Sequence, residues 1–235
     1  MKFEQVIKQI KARGNPDNLA GMARYGIKPK NGYGVSMPIV RAMAKQIGHD
    51  HQLAGRLWAS GIHDARILAG LIDEPASVTA KQMDKWAKDF YSWDVCDQVC
   101  SNLFDKTGFA YAKAVQWTGR KEEFVRRAGF VLMAALSVHD KTASDSRFLR
   151  FLPIIKKYST DERNFVKKAV NWALRQIGKR NLRLNRAAIR MARQIREKDS
   201  RSARWITADA LRELNGKIAQ KKVRRSIVPP SSRTS

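Results

Sequence analysis

Cysteine and histidine are scarce in this sequence. Its 235 residues include two cysteines and four histidines. Cys96 and Cys100 lie four residues apart, so a disulfide between them would close no useful loop, and we expect reduced thiols and a cytoplasmic location. No histidine or cysteine has the spacing of a recognisable metal site. The sequence therefore predicts neither a disulfide framework nor a bound metal.

Long apolar runs and nucleotide-binding motifs are also missing. No apolar run approaches the roughly 18 residues that a membrane span requires. The first residues, MKFEQVIKQIKARGNPDN, are amphipathic and mixed in charge, without the apolar segment of a signal peptide. Neither the phosphate-binding pattern GxxxxGK nor the nucleophile pattern GxSxG occurs. We therefore expect no membrane partner, no secretion, no P-loop chemistry and no nucleophile elbow.

Acidic residues are few compared with basic ones. The chain has 21 aspartates and glutamates against 46 lysines and arginines, a net charge of +25 and an isoelectric point near 10.6. A charge this far from neutrality indicates a polyanionic partner, and nucleic acid is the obvious candidate. The excess is greatest after Glu162, where the remaining acids are Glu197, Asp199, Asp209 and Glu213. We therefore expect the C-terminal half to provide most of the electrostatic attraction to nucleic acid. When bound to DNA in the cell, the protein would be associated with the nucleoid.

Four arginines in this half recur at intervals of three and four residues. They are Arg183, Arg186, Arg190 and Arg193. At this spacing they share one face of a helix predicted over residues 183–198, and that face could follow a phosphate backbone. The alternative is a solvated helix face without a partner.

No stretch of the sequence alternates convincingly between apolar and polar residues, so the predicted fold class is all-α. Apolar residues instead recur with helical spacing between short breakers, and residues 26–36, rich in Gly, Lys and Asn, are predicted to form a loop and a contact surface. The predicted helices cover residues 3–11, 17–25, 51–59, 63–72, 77–90, 92–104, 109–117, 121–138, 144–158, 161–179, 183–198 and 201–214, with one more starting at Ser36.

Short helices in close succession are typical of an α-solenoid of HEAT-like repeats, in which antiparallel helix pairs form a concave inner face. Here the charge predicts that this face is basic and binds DNA. With 43% hydrophobic residues, the chain can bury a sizeable core, and we expect one domain over residues 1–215. Residues 216–235 have little core-forming content and are predicted to form a mostly disordered basic tail that adds non-specific affinity.

One short segment, SWDVCD at residues 92–97, combines an indole with a carboxylate. Ser92 is a good helix N-cap, and Asp94 and Asp97 fall in the first turns, where negative charge suits the helix dipole. Trp93 and Asp97 are four residues apart, so a helix presents them side by side on one face. Asp97 therefore has two interpretations, as a partner of the helix dipole or as a group that does chemistry.

A second segment, FVKKAVNWALR at residues 165–175, places an indole between two cations. Lys168, Trp172 and Arg175 share one helix face, whereas the aliphatic residues form the packed remainder. We interpret Trp172 as presented to a ligand, although a tryptophan on an apolar helix is more often part of the core. In a third segment, FVRRAGFVLM at residues 124–133, either Arg126 or Arg127 must face an interior groove or pair with an acid.

Together these segments resemble the AlkD-type DNA alkylation repair glycosylases, a family built of HEAT-like repeats. The resemblance rests on five short motifs that occur in the family's order and cover most of the chain to about residue 214. They are MARY at 22–25, GVSMPIVR at 34–41, SWDVCD at 92–97, RAGFVL at 127–132 and KAVNWALR at 168–175.

The resemblance implies roles for individual residues. Asp97 matches the family's catalytic carboxylate, and Trp93 and Trp172 match the two tryptophans that embrace the sugar of the damaged nucleotide. Arg127 and Arg175 match DNA-contacting arginines. From the resemblance and the charge pattern together, the predicted DNA-binding residues are Arg127, Arg175, Lys168, Tyr25, Arg41, Arg183, Arg186 and Arg190.

The resemblance also implies an activity, the hydrolysis of the N-glycosidic bond of cationic N3- or N7-alkylated purines in duplex DNA. It implies no metal and no cofactor, because a cationic base is already a good leaving group. The lesion would stay stacked rather than flip into a pocket, and the partner would be double-stranded DNA containing alkylated purines. We expect the protein to act as a monomer.

Two other functions are compatible with a basic helical-repeat chain. The first is a non-enzymatic HEAT-repeat protein that binds damaged or branched DNA, and the second is a protein-interaction scaffold. Asp97 together with Trp93 and Trp172 argues against a pure DNA binder, which gains nothing from a carboxylate facing phosphates. The net charge of +25 argues against the scaffold.

Overall fold

The computed structural model describes residues 1–225, and its regular elements there are helices, with no strand among the described residues. The predicted all-α class is therefore confirmed. Short 3₁₀ turns occur at Ala23–Tyr25, Pro75–Ser77 and Phe104–Lys106. The α-helices are α1 (Phe3–Ala12), α2 (Pro16–Met22), α3 (Met37–Ile47), α4 (His51–Ala59), α5 (His63–Ile72), α6 (Ala80–Lys88), α7 (Trp93–Asn102), α8 (Ala110–Thr118), α9 (Glu123–His139), α10 (Asp145–Leu149), α11 (Phe151–Tyr158), α12 (Asn164–Gly178), α13 (Leu182–Arg196), α14 (Arg201–Asn215) and α15 (Lys217–Arg225).

Most predicted helix positions agree with the structure, and α4 and α5 begin and end at the predicted residues. The continuous helix predicted over residues 144–158 is wrong, because α10 ends at Leu149 and α11 begins at Phe151. Pro153 explains the interruption. Proline has no amide N–H, and its ring clashes with the carbonyl four residues earlier, which here belongs to Leu149.

The predicted disorder of residues 216–235 is also wrong over its first part, which forms α15. Ala219 and Val223 lie four residues apart and are buried, so the basic segment has an apolar stripe that packs on the protein. Gln220 Nε2 donates to the carbonyl oxygen of Leu214 at 2.7 Å and to Oδ1 of Asn185 at 3.1 Å. Residues 226–235 of the predicted tail lie outside the described residues.

The helices form two compact units, one over Met1–Ala110 and one from Tyr111 onward. In the first unit, α5 packs against α1, α3, α4 and α7. Gly70 of α5 allows α7 to approach closely, because a Cβ atom there would lie 2.9 Å from Cγ2 of Val99. The buried helix α5 thereby positions α7, which carries Trp93 and Asp97.

In the second unit, α12 is the central helix and packs against α9, α11, α13 and α14. Its residues Val166, Ala169, Val170, Ala173 and Leu174 are buried, as the apolar pattern predicted. The opposite part of α12 carries the polar and aromatic side chains that were singled out in the sequence. The fold therefore places the second candidate segment on a rigid element rather than on a loop.

Candidate active site and nucleic-acid interface

Trp93 and Asp97 lie on α7 as the sequence predicted. Trp93 is the first residue of the helix, Asp97 follows one turn later, and both side chains are half-buried. Ser92 occupies the N-cap position, but its hydroxyl accepts no amide hydrogen bond. The spacing of four residues thus sets an indole and a carboxylate on one helix face within the first unit.

Trp93 is anchored to the segment that precedes the loop at residues 26–36. Its Nε1 donates to the backbone carbonyl oxygen of Tyr25 at 2.9 Å. Tyr25 ends a 3₁₀ turn, and its own side chain is 69% exposed. The bond restrains the indole and uses only the backbone of Tyr25, so the phenol stays in solvent. The contact of Tyr25 with DNA stays a prediction.

Asp97 lies close to a buried thiol of the same helix. Burial raises the pKa of Cys100 well above its ordinary value, and the nearby Cys96, Asp97 and Asp105 raise it further. Both cysteines are free and buried, so neither is available as a thiolate nucleophile. The two thiols therefore offer no nucleophile, and a chemical role for Asp97 on this part of α7 stays a prediction.

A buried cluster at the start of α7 was not predicted from the sequence. His63, which is 2% exposed, has its Nδ1 atom 2.7 Å from the hydroxyl of Tyr91. Its Nε2 atom lies 2.9 Å from Oδ2 of Asp94, at ion-pair distance although not in hydrogen-bonding orientation. Burial acts to raise the pKa of Asp94, but interactions with His63, Ser92 and the backbone N–H of Val95 together hold this pKa below its ordinary value. Asp94 is therefore a structural carboxylate of this cluster.

The same cluster holds the loop at residues 26–36. Both carboxylate oxygens of Asp64 accept backbone amides, from Tyr33 and from Val35, at 2.7 Å each. The backbone N–H of His63 donates to the carbonyl of Asn31 at 2.8 Å. The start of α5 therefore joins the loop to the start of α7, a link that no helical periodicity or motif spacing in the sequence could reveal.

On α12, Lys168 is exposed and Trp172 is half-buried. That this indole is presented to a ligand stays a prediction. Arg175, the third member of the predicted face, is instead engaged by α14. Its Nη1 pairs with Glu213 and lies 3.4 Å from Oδ2 of Asp209, and Lys179 pairs with the same glutamate.

The two arginines at the start of α9 have different environments. Arg126 Nη1 lies 2.8 Å from Oδ2 of Asp161, which confirms that one of the pair meets an acid. Arg127 is 6% exposed, and its Nη1 donates to the carbonyl oxygen of Phe165 at 2.6 Å. Arg127 thus joins α9 to α12, and its contact with DNA stays a prediction.

The arginine stripe on α13 is exposed along its length. Arg183, Arg186, Arg190 and Arg193 all lie in solvent, and within residues 1–225 no acidic side chain forms an ion pair with them. The acids of this region are used elsewhere, since Asp209 and Glu213 hold residues of α12 and Asp199 lies 3.1 Å from Arg204. Arg41 on α3 is likewise exposed.

The described residues contain neither a metal-binding cluster nor a membrane-spanning helix. No group of three or more His, Cys, Asp or Glu side chains there could hold a metal ion. Within the same range, no helix is long and apolar enough to cross a membrane.

Comparisons with known proteins give a family match and a similar solved structure. Residues 6–214 match the family model described as DNA alkylation repair enzyme. Comparison with curated protein sequences gave no match. A solved structure is similar with a TM-score of 0.77 at 19% identity, over 95% of this chain and 96% of that one. It is described as "A new family of proteins related to the HEAT-like repeat DNA glycosylases with affinity for branched DNA structures".

This likeness confirms the predicted HEAT-like fold, whereas a concave basic face stays a prediction. Because the family model spans most of its length, the chain belongs to the DNA alkylation repair enzyme family.

Proposed function

We propose that this protein is a DNA glycosylase that hydrolyses the N-glycosidic bond of cationic N3- or N7-alkylated purines in duplex DNA. The observation that carries the proposal is the pairing of Trp93 and Asp97 on one face of α7, both half-buried and on a rigid helix. The family match supports the repair context.

The chemistry requires a site that stabilises a cationic sugar. As the alkylated base departs with the bonding electrons, positive charge develops on the deoxyribose. An indole face attracts a cation, and a carboxylate about 4 Å from the charge contributes roughly 4 kcal/mol at an effective dielectric of 20. In the proposal, Trp93 supplies the indole face and Asp97 supplies the carboxylate. Asp97 also orients or deprotonates the attacking water. Trp172 stays a prediction of the sequence resemblance.

The lesion is proposed to remain stacked in the duplex. An enzyme that flips a base needs an enclosing pocket with a stacking surface. The proposal follows the resemblance to the AlkD-type family, which implies that the protein works from the backbone side and leaves the base in the stack. No metal or cofactor is proposed, because alkylation has already made the base a good leaving group.

Single-turnover release of N7-methylguanine and N3-methyladenine from methylated duplex DNA tests the proposal. We expect release by the parent protein that is well above the spontaneous rate. Absence of release at saturating protein, with DNA binding intact, would contradict it.

DNA binding without turnover is the second candidate, and a specific observation favours it. The similar solved structure is described as having affinity for branched DNA. In this alternative, the α13 stripe contacts phosphates and Asp97 only supports the helix dipole. Binding at least ~10-fold tighter to a four-way junction than to a duplex of equal length, without base release, would favour this reading, since that ratio is about 1.4 kcal/mol of preference.

A further inference from the structure

A basic cavity of about 440 Å³ lies in the second unit, and its lining includes Arg126 but none of the predicted catalytic or DNA-binding residues. Its volume falls within the about 300–1,000 Å³ range of small-ligand sites. Four basic residues and one acid contribute to its lining, which gives the cavity a formal charge of +3. Because the lining is strongly positive, it is suited to an anion.

Two of the cations are fixed in place by one carboxylate. Asp161 accepts from Nη1 of Arg126 at 2.8 Å and from Nη2 of Arg163 at 2.6 Å. The Arg126 guanidinium also lies over the Tyr158 ring, 4.8 Å from its centroid, and Arg163 donates to the carbonyl of Lys121 at 2.7 Å. These contacts make the two guanidinium groups rigid, which lowers the entropic cost of binding an anion.

The remaining charge is not neutralised within the protein. Lys121 and Lys157 are exposed, and among residues 1–225 neither ammonium group forms an ion pair with an acid. The Nε atom of Arg126 is buried and has no hydrogen-bond partner in the described structure. An unmet buried donor is unfavourable, and this one belongs to a side chain that lines the cavity.

We propose that this cavity binds a phosphate group of the DNA backbone through Arg126, Arg163, Lys121 and Lys157. Paired guanidinium groups match phosphate oxygens in geometry, and the lysines add attraction without fixed direction. The proposal rests on DNA binding, which both candidate functions require, and it is independent of base release. It assigns a second anchoring point in the unit that already carries the α13 stripe.

The test compares two double variants with the same loss of charge. Lys121→Gln/Lys157→Gln alters the cavity and leaves the Asp161 contacts intact. Lys8→Gln/Lys11→Gln is the matched control, because both lysines are exposed on α1 outside the cavity. Affinity for undamaged duplex DNA is measured by fluorescence anisotropy at several salt concentrations. We expect the cavity variant to reduce the magnitude of the slope of log K against log salt by about 1, and the control to leave it unchanged.

A second measurement identifies the anion directly. Inorganic phosphate, but not chloride at equal ionic strength, should shift the NMR signal of the Arg126 Nε–H group in the parent protein. Equal slopes for the cavity variant and the control would overturn the assignment to DNA, even if phosphate shifts the signal, since the cavity would then hold only a free anion. Because undamaged DNA is used, failure here is distinguishable from failure to release a base.

Discussion

At the scale of single residues, Asp97 distinguishes catalysis from binding. Replacing Asp97 by Asn keeps the size and hydrogen-bonding capacity of the side chain and removes its charge. If the carboxylate stabilises a cationic sugar, single-turnover base release should slow at least ~100-fold, equivalent to ~2.7 kcal/mol. DNA affinity should be equal or higher, because a negative charge facing phosphates has gone.

Asp17→Asn is the control for this prediction. Asp17 is an exposed acid in the first turn of α2, so its substitution removes a similar dipole partner without touching α7. Both variants should lose about 1 kcal/mol of stability at most. Equal release rates for Asp97→Asn and the parent would remove Asp97 from the mechanism.

The neighbouring Asp94 should affect stability and its dependence on pH. Its pKa in the folded protein lies below the ordinary value, because burial, which raises the pKa, is outweighed by interactions with His63, Ser92 and the backbone N–H of Val95 together. The ionised carboxylate therefore stabilises the fold above its ordinary pKa of about 3.9, and this contribution is lost as the pH falls through the lowered folded value.

We therefore expect Asp94→Asn to lower the free energy of unfolding at pH 7 by about 1–3 kcal/mol. The difference from the parent should shrink below about pH 4, which denaturant titrations between pH 7 and pH 2 would measure. A difference that stays constant to pH 2 would contradict the proposed role of the carboxylate charge.

At the scale of helices, the α13 stripe should account for part of the DNA affinity. Arg186 and Arg190 are exposed and unpaired within the described residues, so Arg186→Ala/Arg190→Ala should reduce the magnitude of the salt slope by about 2. Arg204→Ala/Arg212→Ala is the matched control on α14, because each of those arginines, unlike the two on α13, lies in an ion pair, with Asp199 and Asp209 respectively. A similar reduction of the salt slope in both variants would show that DNA affinity depends on net charge and not on the α13 stripe.

Helix α15 should contribute to stability as well as to charge. Val223 is fully buried, so Val223→Ala removes buried apolar surface and should lower the free energy of unfolding by about 1–3 kcal/mol. Lys221→Ala, at an exposed position of the same helix, should change it by less than about 0.5 kcal/mol. Denaturant unfolding of both variants measures this, and equal stabilities would mean that α15 does not pack against the protein in solution. Base release by the folded Val223→Ala protein should persist.

At the scale of the whole molecule, the net charge of +25 predicts strong, salt-dependent binding to undamaged duplex DNA. If about six phosphates are neutralised, the slope of log K against log salt would be near −5. Anisotropy titrations between about 50 and 200 mM salt cover the range in which affinity should fall most steeply. A slope shallower than about −2 would contradict an electrostatic interface of this size.

The sequence by itself determined the helical class, most helix positions and which side chains share a helix face. These depend on local properties, namely apolar spacing, caps and breakers, and α4, α5 and the Trp93 and Asp97 pair follow from them directly. The net charge also follows from composition alone. Local signals failed where one residue overrode the pattern, as at Pro153, or where two aliphatics were enough to dock a basic segment, as in α15.

The tertiary structure alone decided which charged groups are free and which are used inside the protein. Arg175 and the α13 arginines look equivalent in the sequence, yet Glu213, 38 residues away, pairs with the first and leaves the others exposed. The cluster of His63, Tyr91 and Asp94 likewise joins α5 to α7 and to the segment that leads into it. Ion pairs and buried hydrogen bonds depend on distances in space between residues far apart in the chain, and helical periodicity carries no information about those distances.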